Sequence, residues 1–468
     1  MKSDRIKTHI DGLDDLIEGG IPLSTSLVAV GGPGSGKTTL CAQYIYNGAL
    51  RGEKGAMVLI GQTKDRFLKD VARIGINLSP FIKKGKVKIY ELPVYDKKFD
   101  SNFSNLVLEL DSFNPKRIAM DSFSIFFSSI DSKEIHKETI RLLKYLLKNS
   151  SLILTLEKHS DSVSYPDEFF ASDGVIDLGM PGLNGSGRQL QILKMRQTNH
   201  PLDPYTFKIR EGGLQVINKP ALAHPKTVSN KKMNTGVEKL DKALNGGFYK
   251  GTSILVAGNS GTGKTIMGLQ FLIEGAKNNE KCLYISFEES EKEILRNVSS
   301  LGWKLNREMA NGNLEFYTSY PENIVPDELI FRLNKIIESG KYSRVVLDSI
   351  TRLSRSMDEK SYLDLLKHIS SCCRSKMTTL MVLGEVAGGD TITSVSEMNI
   401  SSLVEGIVLL KHVELLGEMK RSMMIVKLRG VNHDKKIKEF EIREGGIHLL
   451  GDLKNMESLI PAIEGDFE

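Results

Sequence analysis

Gly31-Gly32-Pro33-Gly34-Ser35-Gly36-Lys37-Thr38 and, 227 residues later, Gly258-Asn259-Ser260-Gly261-Thr262-Gly263-Lys264-Thr265 carry one pattern twice: Gly, four variable positions, then Gly-Lys-Thr. Each copy follows an apolar run and precedes a helical stretch, the context this pattern needs to act as a phosphate loop. Its glycines let backbone N–H groups turn inward around phosphate oxygens, and the following helix adds the positive end of its dipole. The residues read as ATP-binding are Gly31, Gly34, Ser35, Gly36, Lys37, Thr38 and Thr39, then Gly258, Gly261, Thr262, Gly263, Lys264, Thr265 and Ile266. Lys37 and Lys264 are placed to reach the β- and γ-phosphates, and the Thr38 and Thr265 hydroxyls to ligate Mg²⁺.

Outward from the loops the same offset persists. Thr8, Leu13, Asp14, Gly19 and Gly20 fall on Thr235, Leu240, Asp241, Gly246 and Gly247; Arg117, Asp121 and Ser122 fall on Arg344, Asp348 and Ser349. A period this long is a duplicated domain and not a solenoid unit. The boundaries read as 1–218 and 231–450, with a linker at 219–230 and a short acidic tail at 451–468. In the second copy, strands are expected at 253–257, 282–287, 314–317, 344–348 and 378–383. Helices are expected at 264–278, 291–301, 327–338 and 362–374. Strands alternating with helices of this length imply an α/β fold, a mainly parallel sheet with helices on both faces. The runs 406–413, 421–428 and 440–443 read strand–turn–strand and suggest an antiparallel edge.

Composition bounds the rest. The chain has 468 residues, 40% hydrophobic and 26% charged, enough apolar surface for more than one core. Its formal charge of +5 is too mild to argue for nucleic acid. No apolar run approaches the roughly 20 residues of a membrane span. The four cysteines form no C-x-x-C pair, so a zinc ribbon or disulfide scaffold is not expected, and the polar start predicts a reduced, cytoplasmic setting.

Asp121 and Asp348 end apolar strands, where an acid can hold the magnesium shell opposite the phosphate loop. The strand after the first helix separates the copies. In the second it ends in Phe287-Glu288-Glu289-Ser290; in the first the same positions hold Gly61 and Gln62. A glutamate there can take a proton from an attacking hydroxyl, whereas glycine and glutamine cannot. The same glutamates also suit a helix N-terminus. Glu157, a conceivable replacement, falls on Glu385 and so reads as a shared feature. Late in each copy stand Lys194-Met195-Arg196 before His200 and Lys427-Leu428-Arg429 before His433. Lys and Arg two apart on a strand point the same way and can fork a γ-phosphate.

These residues resemble the KaiC family of RecA-like ATPases, from Thr8 to about Leu450. The resemblance rests on the duplicated loops, Phe287-Glu288-Glu289-Ser290, Leu347-Asp348-Ser349 and the run from Lys427 through His433 to Lys435. It implies two tandem RecA-like domains, a homo-hexamer of stacked rings, and ATP with Mg²⁺ held between neighbouring subunits. Lys427, Leu428, Arg429 and His433, with Lys194, Met195, Arg196 and His200 in the other ring, are then expected at the adjacent subunit's ATP. It further implies that Ser401 and Ser402 occupy the family's adjacent phosphosites, with Glu288, Glu289, Lys264, Lys427 and Arg429 as the catalytic set of an ATPase and serine/threonine autokinase. Clock members of the family carry paired glutamates in both halves; here the first half has none, and is expected to bind ATP while its hydrolysis is impaired.

Two other functions use the same loops: a DNA-handling motor and a nucleotide-gated scaffold without turnover. The loop 384–406 holds no Lys or Arg and four acids, Glu385, Asp390, Glu397 and Glu405, which argues against a DNA backbone there. Glu288 and Glu289 speak against a scaffold without turnover. Regulatory protein partners are compatible with a signalling ring, but no residue names one.

Overall fold

A computed structural model describes residues 4–92, 99–124, 144–148, 150–158, 172–180, 187–223, 227–320, 325–386, 400–415, 417–430 and 433–453. The chain divides into two compact units, Met1–Asn218 and Lys219–Glu468. Each is built on a nine-stranded sheet among the described residues.

In the second unit the strand order is Leu314–Thr318, Cys282–Ser286, Arg344–Asp348, Thr379–Gly384, Ser253–Gly258, Gly406–Leu415, Glu418–Leu428, Lys438–Arg443 and Gly446–Asp452. The first six run parallel and the last three add antiparallel. The first unit repeats this order from Val87–Leu92 at one edge to Gly213–Val216 at the other. The units are tandem RecA-like domains with antiparallel edges.

Alternation explains why these runs form central strands. Cys282 and Tyr284 face one apolar cluster, Leu283 and Ile285 the other. In the first unit Met57 and Leu59 face one side, Ala56, Val58 and Ile60 the opposite. A strand buried on both faces reads as continuous apolar sequence, as in parallel sheets covered by helices on both faces.

The helices Lys37–Leu50 and Lys264–Lys277 follow the phosphate loops and are fixed by two repeated polar devices. Gln43 Nε2 donates to Leu214 O at 3.1 Å and its Oε1 accepts from Leu214 N at 2.7 Å. Gln270 Oε1 likewise accepts from Ile447 N at 2.8 Å. The second device is a buried arginine. Arg344 is 2% exposed; it meets Glu280 at 2.6 Å, the carbonyls of Asn234 and Phe271 at 2.6 and 2.7 Å, and lies 4.5 Å from the Phe271 ring centroid. Arg117 does the same with Glu53, Lys7 O, Tyr44 O and the Tyr44 ring. A glycine opens the space in each case, since a Cβ on Gly48 or Gly275 would stand 2.4 Å from the arginine Nε. One side chain thus ties the unit's entry segment, its loop helix and a central strand together.

Several boundaries differ from expectation. The helix expected at 362–374 begins earlier, as Glu359–Ser375, because Asp358 caps it by accepting from Ser361 N at 3.0 Å. A final strand, Gly446–Asp452, runs two residues into the stretch read as tail. Positions 454–468 lie outside the described residues. The segment read as linker starts on the second unit: Lys219 pairs with Asp327 at 2.8 Å and Asp364 at 3.6 Å, and Ser371 Oγ donates to Ala223 O at 2.7 Å. Among the described residues no helix is long and apolar enough to cross a membrane.

Removing one partner of a buried ion pair leaves an uncompensated charge. Glu280→Ala is therefore expected to destabilise the second unit by about 2–3 kcal/mol, discounted for the part-exposed glutamate. Denaturant unfolding checks it, and Glu280→Gln, which keeps an acceptor, should lose less.

Candidate functional site

Both phosphate loops turn at the carboxyl ends of the parallel strands. Gly34 and Gly36 have φ of 74° and 105°, Gly261 and Gly263 of 77° and 103°, values that strain any residue with a Cβ. Packing fixes the first glycine of each loop: a Cβ on Gly31 would meet Leu178 O, and on Gly258 Leu410 O, at 2.4 Å. Neither loop helix has a side-chain cap or an acid in its first turn. Their leading N–H groups are left for an anion. The helix Glu291–Ser299, by contrast, is closed by a Ser290–Glu293 capping box.

The buried Lys37 ammonium rests on the carbonyls of Gly31 and Gly32 at 2.8 and 2.9 Å, and that of Lys264 on Gly258 and Asn259, each at 2.9 Å. Burial lowers the Lys264 pKa, and Glu385, Asp348 and Glu288 oppose that shift. Thr38 Oγ1 donates to Asp121 at 2.6 Å and Thr265 Oγ1 to Asp348 at 2.8 Å. The structure thus brings loop lysine, loop threonine and strand-end aspartate together in both copies. Asp121–Ser122 and Asp348–Ser349 are both cis peptides.

Each aspartate takes a second hydroxyl, but from opposite neighbours. Tyr284 OH donates to Asp348 at 2.5 Å; in the first copy Met57 occupies that position, and Thr155 Oγ1, on the other flanking strand, donates to Asp121 at 2.5 Å. Burial pushes the Asp348 carboxyl up to about 6 despite the Tyr284 and Thr265 hydrogen bonds, with Glu288 adding to the rise. A hydroxyl and one carboxylate are hard oxygen donors of the kind Mg²⁺ accepts when substrate phosphates complete its shell. Among the described residues no group of three His, Cys, Asp or Glu side chains could hold a metal without such help.

The copies part at the next strand end. Glu288 Oε1 accepts from Ser349 Oγ at 2.5 Å. Glu289 accepts instead from Asn297 at 3.1 Å; burial, then Glu293 and Glu288, raise its pKa. In the first copy Gly61 has φ 75°, a backbone turn that Glu288 does not share, and among the described residues the buried Ser122 Oγ has no hydrogen-bond partner. Gly61, Gln62, Asp121, Ser122 and Glu157 line a cleft of about 400 Å³ with the loop residues Gly34, Gly36, Lys37, Thr38 and Thr39. Glu157 reaches Lys37 at 3.1 Å, while Glu385 turns to Arg355 at 3.5 Å. The shared sequence position therefore carries two different contacts.

The late basic motifs stand elsewhere. Met195 pairs with Gly174, which is level with Leu27; Leu428 pairs with Gly406, level with Ile254. Those levels lie four residues before Gly31 and Gly258, roughly 13 Å along the strand from the loop of the same unit. Arg196 and Arg429 fall one residue past the ends of their strands, and their N–H groups still donate across to Asp173 O and Glu405 O, each at 2.8 Å. Lys194 Nζ donates to Ser172 O at 2.6 Å; Lys427 Nζ donates to Ser401 O at 2.6 Å and Val404 O at 3.1 Å. Burial, then the neighbouring arginine, lowers both lysine pKa values. Ser401 is partly buried and Ser402 exposed. His433 lines a separate cleft of about 600 Å³ with Lys239, Lys242 and Lys438, and His200 Nδ1 lies 3.1 Å from Pro201 O.

Sequence reasoning missed Ser349, Tyr284 and Thr155 as site residues. The Asp-Ser repeat at 121–122 and 348–349 was the one signal for Ser349; Tyr284 and Thr155 look like ordinary strand residues.

The chain matches the family described as "ATPase: KaiC" twice, over residues 6–221 and 233–454. It is 29% identical over 470 residues to the circadian clock oscillator protein KaiC of Parathermosynechococcus lividus, covering 97% of this chain and 87% of the relative. To the circadian clock protein KaiC3 of a Synechocystis strain it is 28% identical, covering 98% and 94%. To KaiC of Synechococcus elongatus it is 28% identical, covering 97% and 91%. With both halves matched and a phosphate loop formed in each, the chain belongs to the KaiC family of ATPases.

Proposed function

We propose that this chain is an ATP-binding ring protein whose second copy hydrolyses ATP and phosphorylates a serine, while its first copy binds ATP with little turnover. The observation that carries this is the contrast at one strand end: a glutamate hydrogen-bonded to Ser349 in the second copy, and in the first a glycine lining one cleft with Ser122, whose hydroxyl has no partner among the described residues.

In the second copy Glu288 is the base. Its carboxylate takes the proton from a water, or from the Ser401 or Ser402 hydroxyl, as that oxygen bonds to the γ-phosphorus. The bond to the β,γ-bridging oxygen breaks and ADP leaves with the electron pair. Glu289 is engaged with Asn297 and is not the base. Lys264 exchanges its two loop carbonyls for phosphate oxygens. Thr265 and Asp348 would hold Mg²⁺, which when bound neutralises phosphate charge. Tyr284 holds the Asp348 carboxylate in place.

The topology supports action between subunits. Lys427 and Arg429 stand roughly 13 Å along the sheet from their own loop, too far to touch phosphates bound there. A homo-hexamer with ATP between subunits places them at a neighbour's nucleotide, where they would steady the charge that develops on the γ-phosphate. The Lys427–Ser401 contact ties this motif to the serine that would be phosphorylated. The relatives' clock names bear on the chain through that serine, whose phosphorylation state ATP turnover would set.

Radiolabelled ATP followed by phosphosite mapping should place label on Ser401 or Ser402. Normal ATP binding with neither serine labelled would overturn the autokinase step. Lys264→Ala should abolish hydrolysis and labelling, whereas Lys37→Ala should mainly loosen the ring, read by light scattering. Loss of most turnover in Lys37→Ala with the ring intact would reverse the roles assigned to the two copies. The Asp348 carboxyl, raised to about 6, must be deprotonated to ligate a cation. Mg²⁺-dependent ATP binding by the second copy is therefore full above pH 7 and lost as pH falls through 6. Calorimetry on Lys37→Ala should show it weaker by about fourfold at pH 5.5 than at pH 7.5.

A further inference from the structure

We propose that Ser349 is the positioning residue of the hydrolytic reaction, aiming the Glu288 carboxylate; this rests on Glu288 being the base. Ser349 is 2% exposed, and its hydroxyl donates to Glu288 Oε1 at 2.5 Å across a separation of 61 residues. Glu288 itself is exposed at a strand end, where a long side chain has several staggered rotamers open to it. Its backbone is pinned, since Ser286 Oγ accepts from the N–H groups of Glu288 and Glu289 at 3.3 and 3.0 Å. The pinned backbone leaves the side chain's own torsions free. A single hydrogen bond from a buried donor selects one rotamer and occupies Oε1, leaving Oε2 to take the proton.

The duplicated copy is an internal control. Ser122 keeps the residue and the adjoining aspartate and is itself half-buried with its Oγ shielded, but the equivalent of Glu288 is Gly61, and among the described residues the Ser122 hydroxyl has no partner. A buried hydroxyl left unmatched is unfavourable. The serine makes sense as one half of a pair whose other half the first copy has lost. It contributes nothing to either Thr–Asp contact, which is the same in both copies.

The expected effect is on chemistry and not on binding. In the full-length chain, Ser349→Ala should lower kcat for ATP hydrolysis about ten- to a hundredfold, the scale of a mis-aimed catalytic group, with KM within twofold. Ser349→Cys, similar in size and a weaker donor, should fall between, and it covers the case in which the alanine chain does not fold. Glu288→Gln should lower kcat at least as far, and adding Ser349→Ala to it should cost nothing more, because the serine acts only through the carboxylate. A further multiplicative loss in the double variant, or Ser349 variants that keep kcat within twofold of the parent, would overturn the proposal. If Glu288→Gln itself kept full turnover, the assignment of the base would fall first; a slow Glu288→Gln beside a fast Ser349→Ala would sink the positioning role alone.

Discussion

The hydroxyl–carboxylate contact from the first turn of the loop helix to the end of a central strand organises each unit. Thr38 with Asp121, and Thr265 with Asp348, join the element that presents the phosphate-facing N–H groups to the sheet that supports it. The aspartates are buried, and a buried carboxylate is tolerated only when its lone pairs are taken. Each accordingly accepts two hydroxyls. The position of the loop lysine follows, since the strand that carries the loop is fixed by the same sheet, and so does the direction in which the helix dipole points. Around this contact the buried arginine and the glutamine clamp hold the loop helix from its far end.

Duplication makes the tolerances of that arrangement visible. The second hydroxyl on the aspartate is supplied by Tyr284 in one copy and Thr155 in the other, from strands on opposite sides. What is maintained is satisfaction of the carboxylate and not the residue that provides it. The strand-end carboxylate was treated differently. Its loss in the first copy came with a left-handed turn at Gly61, so the divergence lies in the backbone as well as in the side chain. The Lys37–Glu157 pair in that copy then sets a carboxylate against the loop lysine, an anion that phosphate oxygens must displace. In the second copy the equivalent glutamate is engaged elsewhere, and the lysine leans on carbonyls alone. The two copies thus differ at the loop lysine and at the strand end through separate residues on one shared frame.

Much of this was legible in the sequence, for identifiable reasons. The loops announce themselves because glycine is required where φ is positive and where Leu178 and Leu410 carbonyls crowd, so the spacing cannot drift. The central strands are legible because burial on both faces leaves only apolar runs. Contacts between residues far apart in the chain were not legible. Tyr284 sits in an apolar strand and looks like core; its partner is 64 residues on. Arg117 and Arg344 could be seen to repeat, but nothing local says that a full charge is buried there over an aromatic ring. The final strand, Gly446–Asp452, escaped because an edge strand can be short and glycine-flanked, and its pairing with Lys438–Arg443 depends on the tight turn at Glu444 and Gly445.

The placement of the late basic motifs constrains assembly more firmly than their composition does. A parallel sheet puts every loop that follows a parallel strand at one end, and phosphates bind there. Lys194 and Lys427 lie near the ends of antiparallel strands, so their side chains emerge at the opposite end. A cation at that end can serve a phosphate only if a second molecule brings its carboxyl end to meet it. Such a contact joins two different surfaces, head to tail, and a head-to-tail contact either closes into a ring or runs on as a filament. If both copies act in this way, each supplies one such contact, and ring closure has to satisfy the two together. In the ring proposed above, a first copy without its strand-end glutamate would still need its loop, its aspartate and its basic motif, because as half of a double interface it would help to close the ring whether or not it turned ATP over.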